Sequence, residues 1–212
     1  IPSKVRIKIP IITAEFPEDT YSNECRNVSL CDFLARQFYH SIKKHNTQKQ
    51  GSGKSGAIEI DRPGQEVLKT SSMIIKDDCI EARFLVGLPA FGRRIAGKIA
   101  AHMFSETIPQ IVNDSLYYQS LPADKLYRHI ETVEDSEFIR GKLSELGLIA
   151  FIAENAVLPR ASGVDSRPLS SEGVIPFQSC QSMKASITLP NRGEISGMGI
   201  RKGVTLIVGG GY

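Results

Sequence analysis

The C-terminal segment GVTLIVGGGY, residues 203–212, decides the fold class that this sequence predicts. The apolar run 204–208 predicts a buried strand, which leads directly into Gly209, Gly210 and Gly211. Consecutive glycines let the backbone curl so that its N–H groups face a phosphate, which is how a phosphate-binding loop (P-loop) begins. The complete motif is a glycine, four residues and then Gly-Lys-Ser/Thr, so the lysine would follow Tyr212. A glycine-rich tail or turn is the alternative interpretation.

The composition is ordinary for a globular protein and excludes several other classes. Of 212 residues, 41% are apolar and 23% are charged, so the chain can bury a core without disulfides or metals. No apolar run approaches the ~18 residues that span a bilayer, and no secretory signal peptide is visible. The net charge of +3 gives no global argument for nucleic-acid binding, so that argument depends on local charge.

Neither the four cysteines nor the four histidines are spaced for a metal site, and no nucleophile–base pair is evident. Free thiols are typical of a reducing compartment, so we expect a soluble intracellular protein. A mitochondrial or plastid location is compatible with the sequence, because a targeting segment would precede Ile1, which is not a natural start.

Hydrophobic periodicity predicts an α/β chain of mixed strands and helices. Ser29 is the predicted N-cap of a helix near 30–45, because Asp32 follows in its first turn and apolar residues recur at helical spacing. The pattern turns helical again from Ala90, and a further helix is predicted at 136–145. Strands are predicted at 4–9, 57–60, 67–75, 79–85 and, as a buried apolar run, 148–153.

Residues 4–9 alternate strictly between basic and apolar side chains. As a strand, this segment would place Lys4, Arg6 and Lys8 about 7 Å apart along one face, with the apolar residues on the other. That spacing suits the phosphates of an extended nucleic-acid strand. A solvated edge strand, whose basic residues discourage aggregation, is the alternative.

A second glycine-rich segment, GSGKSG at 51–56, contains Gly-Lys-Ser but is not a nucleotide P-loop. Gln48 occupies the position of the first glycine, and no apolar strand precedes the segment. Its backbone amides and lysine still suit an oxyanion, although a mobile solvated loop is the alternative. The candidate phosphate- or RNA-contacting residues here are Gly51, Ser52, Gly53, Lys54 and Ser55.

Arg160 and Arg167 bracket the sequence SGVD at 162–165. A loop with two arginines could coordinate a phosphate, and both residues are therefore candidate contacts. An internal Arg–Asp ion pair is the alternative.

Together these segments resemble the predicted ATPases of the ABC class. The matching stretches follow one another along nearly the whole chain: PSKVRI (2–7), YSN (21–23), LCDFLARQFY (30–39), GSGKSG (51–56), GQEVL (64–68), EARF (81–84), GLPA (87–90), LPRASGVD (158–165), LPN (189–191), GMGI (197–200) and GVTLIVGGGY (203–212). The chain departs from the family at Gln50, where arginine is usual, and at Glu154 and Asn155, where aspartate and glycine are usual.

The resemblance implies an N-terminal accessory domain at 1–170 and the opening strands of an ABC-type nucleotide-binding domain at 171–212. It implies that His-Gly-Lys-Ser-Thr follows, so that ATP with Mg²⁺ binds against Gly209, Gly210, Gly211 and Tyr212. It also implies hydrolysis between two facing subunits of a homodimer and an RNA ligand. Because no residue of this piece performs the chemistry, we expect the 212-residue chain alone to have no ATPase activity.

Two other functional classes remain open from the sequence. The N-terminal domain could be a non-catalytic module that binds RNA or protein, or the chain could be a structural subunit of a larger particle. Salt-dependent RNA affinity that depends on the basic first strand would favour the binding module.

Overall fold

A computed structural model describes residues 2–46, 53–170 and 173–208. The chain forms two compact units, Ile1–Ile130 and Glu131–Tyr212. Strands and helices occur in both units, which confirms the predicted α/β class. The division between the units lies ahead of the domain boundary predicted at residue 170, and that boundary stays a prediction.

The N-terminal unit is built on an antiparallel sheet with helices packed on one face. Its strands are β1 (Ser3–Pro10), β2 (Ile58–Glu59), β3 (Met73–Lys76), β4 (Cys79–Val86) and a small hairpin of β5 (Ala90–Phe91) and β6 (Arg94–Ile95). Its helices are α1 (Ile11–Ala14), α2 (Glu24–His45), α3 (Gly97–His102), α4 (Ile108–Ser115) and the first part of α5 (Ala123–Leu143). Strand β4 is central, with β1 on one side and β2 and β3 on the other.

The core of this unit lies between the sheet and α2. Leu30, Leu34 and Phe38 of α2 are fully buried, and the rings of Phe38 and Phe84 lie 5.1 Å apart. Burying each such side chain contributes about 1.5–3 kcal/mol. Since the apolar residues of β1 and β4 alternate with polar ones, the opposite face of the sheet is left to charged side chains.

Helix α2 begins earlier than predicted, so Ser29 is not its N-cap. Asn23 caps the helix, and its side chain accepts a hydrogen bond of 2.9 Å from the Arg26 amide. Ser29 is buried as the sixth residue of the helix and donates to the Cys25 carbonyl at 2.7 Å. The first helical turn is polar, so hydrophobic periodicity does not detect it.

Two further element predictions are wrong in extent. The helical pattern does not begin at Ala90, because the β5–β6 hairpin turns at Gly92, whose φ is 60°, and α3 starts only at Gly97. Of the strand predicted over 67–75, only the part from Met73 is a strand. The strands predicted near β1, β2 and β4 are confirmed.

The C-terminal unit contains a three-stranded antiparallel sheet and a short hairpin. Strands β10 (Lys184–Leu189), β11 (Gly193–Arg201) and β7 (Leu148–Ala153) lie in the order β10-β11-β7, and β8 (Arg160–Ser162) pairs with β9 (Asp165–Pro168). A Cβ on Gly197 would lie 2.3 Å from the Ile152 carbonyl oxygen, so close packing of β11 on β7 requires glycine there. The helix predicted at 136–145 is wrong in extent, because α5 begins at Ala123 and only its C-terminal part was predicted. Strand β7 confirms the predicted strand but not its predicted burial, since only Leu148 in it is buried.

The apolar run 204–208 does not form the predicted buried strand. Val204, Leu206, Ile207 and Val208 are each at least 80% exposed and belong to no strand. A buried strand needs neighbours to pair with its backbone and layers to cover its side chains. Among the described residues, no strand pairs with this run.

Candidate nucleic-acid interface

Strand β1 presents the basic face that the sequence predicts. Lys4, Arg6 and Lys8 are all exposed, whereas Val5 and Ile7 are half-buried and pack against the core. The side chains of Arg6 and Lys8 retain 58% and 59% of their accessible surface. These three cations are therefore open to a ligand that approaches the outer face of the sheet.

Strand β4 adds an arginine and a carboxylate to the same face. Arg6 lies opposite Arg83, and Lys8 lies opposite Glu81. Since directly opposed residues of an antiparallel pair project from the same face, all four side chains share one surface. The Glu81 carboxylate lies 3.2 Å from Arg6 Nε, 3.4 Å from Lys8 Nζ and 2.5 Å from Arg83 Nε.

Glu81 organises this surface but does not neutralise it. A hydrogen bond from Arg83 lowers the pKa of the Glu81 carboxyl, and Lys8 and Arg6 add to the effect against the opposing influence of burial. The carboxylate is thus ionised at neutral pH and shared by three cations. One negative charge among three positive ones leaves an excess of positive charge on the face.

Two lysines extend the basic surface toward the other end of the sheet. Lys4 lies opposite Leu85, whose other neighbour is Glu59 of β2, and Lys4 makes no ion pair with any described residue. Lys54 lies 2.7 Å from the Glu59 carboxylate, with its side chain 61% exposed. A cavity of about 630 Å³ opens on this face, with walls from β1, β4 and the segments around Ile60 and Ser71.

The described part of the second glycine-rich segment is fastened to the end of β4. The Gly56 amide donates to the Gly87 carbonyl at 2.7 Å, and Ser55 Oγ both accepts from the Ala90 amide and donates to its carbonyl. The Ser55 hydroxyl is therefore engaged within the fold, while the Lys54 ammonium stays near the surface. Gly53 has a φ of 61°, and Gly51 and Ser52 lie outside the described residues.

In the C-terminal unit, one of the two candidate arginines, Arg167, forms the internal ion pair that was the alternative to phosphate binding. Arg167 Nε lies 3.0 and 2.9 Å from the two carboxylate oxygens of Asp165, and this contact lowers the pKa of Asp165 to about 2. Arg160 is exposed on β8 and makes no ion pair with any described residue. Of these two arginines, Arg160 is therefore the one whose charge is uncommitted among the described residues.

Sequence reasoning missed Arg83 and Glu81 as parts of this surface. The signal was present in EARF at 81–84, where charged and apolar residues alternate as they do in β1. Which strand pairs with β1 depends on the long-range register, and periodicity within one strand does not reveal it.

The remaining predicted site residues, Gly209, Gly210, Gly211 and Tyr212, lie outside the described part of the chain. Comparison with known families provides the information about that end. A family model described as the N-terminal part of ATPases of the ABC class matches residues 1–119, which is more than half of the chain. The chain belongs to the ABC-class ATPases. A second model, for the P-loop domain of ABC ATPases, matches residues 122–212.

The P-loop model covers the glycine run at 209–211. The last residues of this member of the ABC class therefore fall within a match to a P-loop domain. No curated protein matches the chain significantly. Among the described residues, no helix is both long and apolar enough to cross a membrane. Within the same ranges, no group of three or more His, Cys, Asp or Glu side chains is placed to hold a metal ion.

Proposed function

We propose that the complete protein binds ATP with Mg²⁺ and hydrolyses it between two facing subunits of a homodimer. The match of the P-loop model across 122–212 supports this proposal, because the matched region ends on the glycine run. Gly209, Gly210, Gly211 and Tyr212 would then form the first half of the loop that wraps the phosphates. The lysine and the hydroxyl of the P-loop motif would follow them.

Nucleotide binding is tested by comparing the 212-residue chain with a longer protein in which the loop is completed. The longer protein continues through the natural residues that follow Tyr212. We expect the longer protein to bind a fluorescent ATP analogue in a Mg²⁺-dependent manner and the 212-residue chain to neither bind nor hydrolyse it. Turnover by the 212-residue chain, or no binding by the longer one, would overturn the proposal.

We also propose that the N-terminal unit contacts RNA through the outer face of its sheet. The observation that carries this proposal is the gathering of Arg6, Lys8 and Arg83 around the single carboxylate of Glu81, with Lys4 exposed further along the same face. Successive cations on β1 lie about 7 Å apart, which suits the phosphates of a single strand. The choice of RNA follows the family resemblance, and competition with DNA of the same sequence tests it.

The RNA proposal predicts a charge-dependent affinity that belongs to this face. The triple variant Lys4→Gln, Arg6→Gln, Lys8→Gln should weaken binding of a single-stranded RNA and reduce the slope of log K against log salt by about 2. A control variant, Lys98→Gln, Lys125→Gln, Arg140→Gln, removes the same charge from exposed positions elsewhere. Equal losses of RNA affinity in the two variants would show that the loss follows from net charge and not from this face of the sheet.

A non-catalytic module that binds protein, within a larger particle, is the second candidate function. The open edge of β1 favours it, because an unpaired strand edge can accept an extended segment of another protein. A mitochondrial or plastid location stays a prediction.

A further inference from the structure

Strand β1 forms one edge of the N-terminal sheet. The sheet order is β1-β4-β2, with β3 also paired to β4, so β4 pairs with β1 on one side only. No described residue pairs with the outer side of β1. At eight residues, β1 is long enough to accept another strand over positions 4–8, ahead of Pro10, which has no N–H to donate.

Hydrogen bonds of β4 show which backbone groups of β1 point outward. The amides of Arg83 and Gly87 donate to the Ser72 and Ala57 carbonyls, away from β1. Backbone direction alternates along an antiparallel strand, so the even-numbered residues of β4 bond to β1. Their partners in the register are Ser3, Val5, Ile7 and Ile9, which leaves the backbone groups of Lys4, Arg6 and Lys8 facing outward.

The three residues with outward backbone groups are also the three with basic side chains. A second copy of β1 added antiparallel would place cations opposite cations, which is unfavourable. A strand with acidic residues at every second position would place a carboxylate opposite each cation. Its alternate residues would project toward the apolar face, beside the half-buried side chains of Val5 and Ile7.

We propose that the outer edge of β1 binds an extended acidic segment of a partner protein by antiparallel strand addition. The segment alternates acidic and apolar residues over five positions, with its acids opposite Lys4, Arg6 and Lys8. The backbone supplies binding through main-chain hydrogen bonds, and the charge pattern selects the partner. This role requires neither ATP nor RNA binding.

The test uses the 212-residue chain and a labelled peptide with a Glu-Val-Glu-Val-Glu core and neutral polar flanks. Controls are a scrambled Glu-Glu-Val-Val-Glu core and a Lys-Val-Lys-Val-Lys core. Fluorescence anisotropy measures the binding of each peptide. We expect the first peptide to bind at least about tenfold more tightly than either control. Equal binding of the scrambled peptide would overturn the proposal, because it would show attraction by charge alone.

Amide exchange distinguishes strand addition from contact with side chains. On peptide binding, exchange of the Lys4, Arg6 and Lys8 amides should slow by at least about tenfold, while the inward Val5 and Ile7 amides are already protected in the free chain. A peptide that binds without this alternating protection would overturn the proposal. Single-stranded RNA serves as a comparison, since it would contact the side chains and leave the alternating pattern unchanged.

A charge exchange tests the predicted register. The variant Arg6→Glu should lose affinity for the Glu-Val-Glu-Val-Glu peptide and regain it for a peptide whose central glutamate is lysine. Its far-ultraviolet circular dichroism should match that of the unmodified chain, which excludes unfolding as the cause. Loss of affinity for both peptides by a folded variant would contradict the direct pairing of Arg6 with the peptide.

Discussion

A Cβ atom on Gly87 would lie 1.8 Å from the carbonyl oxygen of Lys54. The backbone of the second glycine-rich segment therefore runs directly against the end of β4. The Gly87 amide and carbonyl bond to Ala57 and Gly56 in the same contact. Position 87 thus determines where Lys54 can lie relative to the basic face of the sheet.

Gly87→Ala should destabilise the chain because its new methyl group meets backbone rather than a flexible side chain. We expect a loss of about 1–3 kcal/mol in the free energy of unfolding, measured in urea. Gly141→Ala is the control, because Gly141 lies in α5 with no heavy atom within 4 Å of the added Cβ. That substitution should stabilise by about 0.5–1 kcal/mol. Equal stability of Gly87→Ala and the unmodified chain would mean that the segment moves freely away from β4.

Asn23→Ala should weaken α2 because it removes the side-chain acceptor for the Arg26 amide. The expected loss is about 1 kcal/mol in the free energy of unfolding. Asn23→Ser keeps an acceptor at the cap and should recover most of this stability. If both variants lose the same amount, other contacts of Asn23 would account for the effect rather than the cap.

Asp32 should make the stability of the N-terminal unit sensitive to acid. Its side chain is fully buried and lies 2.6 Å from Arg36 Nε and 3.0 Å from His129 Nε2. Burial alone would raise the pKa of Asp32, but the nearby imidazole of His129 and the hydrogen bonds from Arg36 outweigh it, so the pKa lies below its ordinary value of 3.8. The ionised form is thus stabilised by folding. Its contribution is fully present above pH 3.8 and is lost as the pH falls through the lower pKa of the folded state.

Asp32→Asn should lower the free energy of unfolding at pH 7 by about 3 kcal/mol, since it leaves the half-buried side chains of Arg36 and His129 without their buried carboxylate partner. Urea titrations between pH 7 and pH 2.5 provide the measurement. The difference between the unmodified chain and Asp32→Asn should shrink at the acid end. A constant difference across this range would show that Asp32 does not change its ionisation on folding.

Elements with a long, regular period were predictable from the sequence, and those fixed by a few backbone contacts were not. The six alternating residues at 4–9 correctly predicted strand β1 and its basic face. The β5–β6 hairpin has only two residues in each strand, too few to show a period, and its turn depends on the positive φ of Gly92. The N-cap was misplaced because Ser29 and Asp32 reproduce a capping pattern inside the helix.

The candidate interface was predictable only on the strand that carries its own pattern. Lys4, Arg6 and Lys8 alternate within one short segment and could be identified from β1 alone. Glu81 joins this surface through the pairing of β4 with β1, which is a long-range feature. Lys54, a candidate from the second glycine-rich segment, joins it through Glu59, whose strand β2 also pairs with β4. The balance of positive and negative charges on this face could therefore be determined only from the structure.

Asn155 provides a last test, because its backbone conformation favours glycine, the residue that the family resemblance implies at this position. Asn155 has a φ of 63°, in the left-handed region that glycine adopts freely and asparagine tolerates better than other residues. Its amide also donates to the Phe177 carbonyl at 2.9 Å, so this conformation is held by the fold. Asn155→Gly should therefore leave stability nearly unchanged. Asn155→Ala should reduce the free energy of unfolding by about 1–2 kcal/mol in urea titrations. If alanine were tolerated as well as glycine, the turn would have to adopt another conformation in solution.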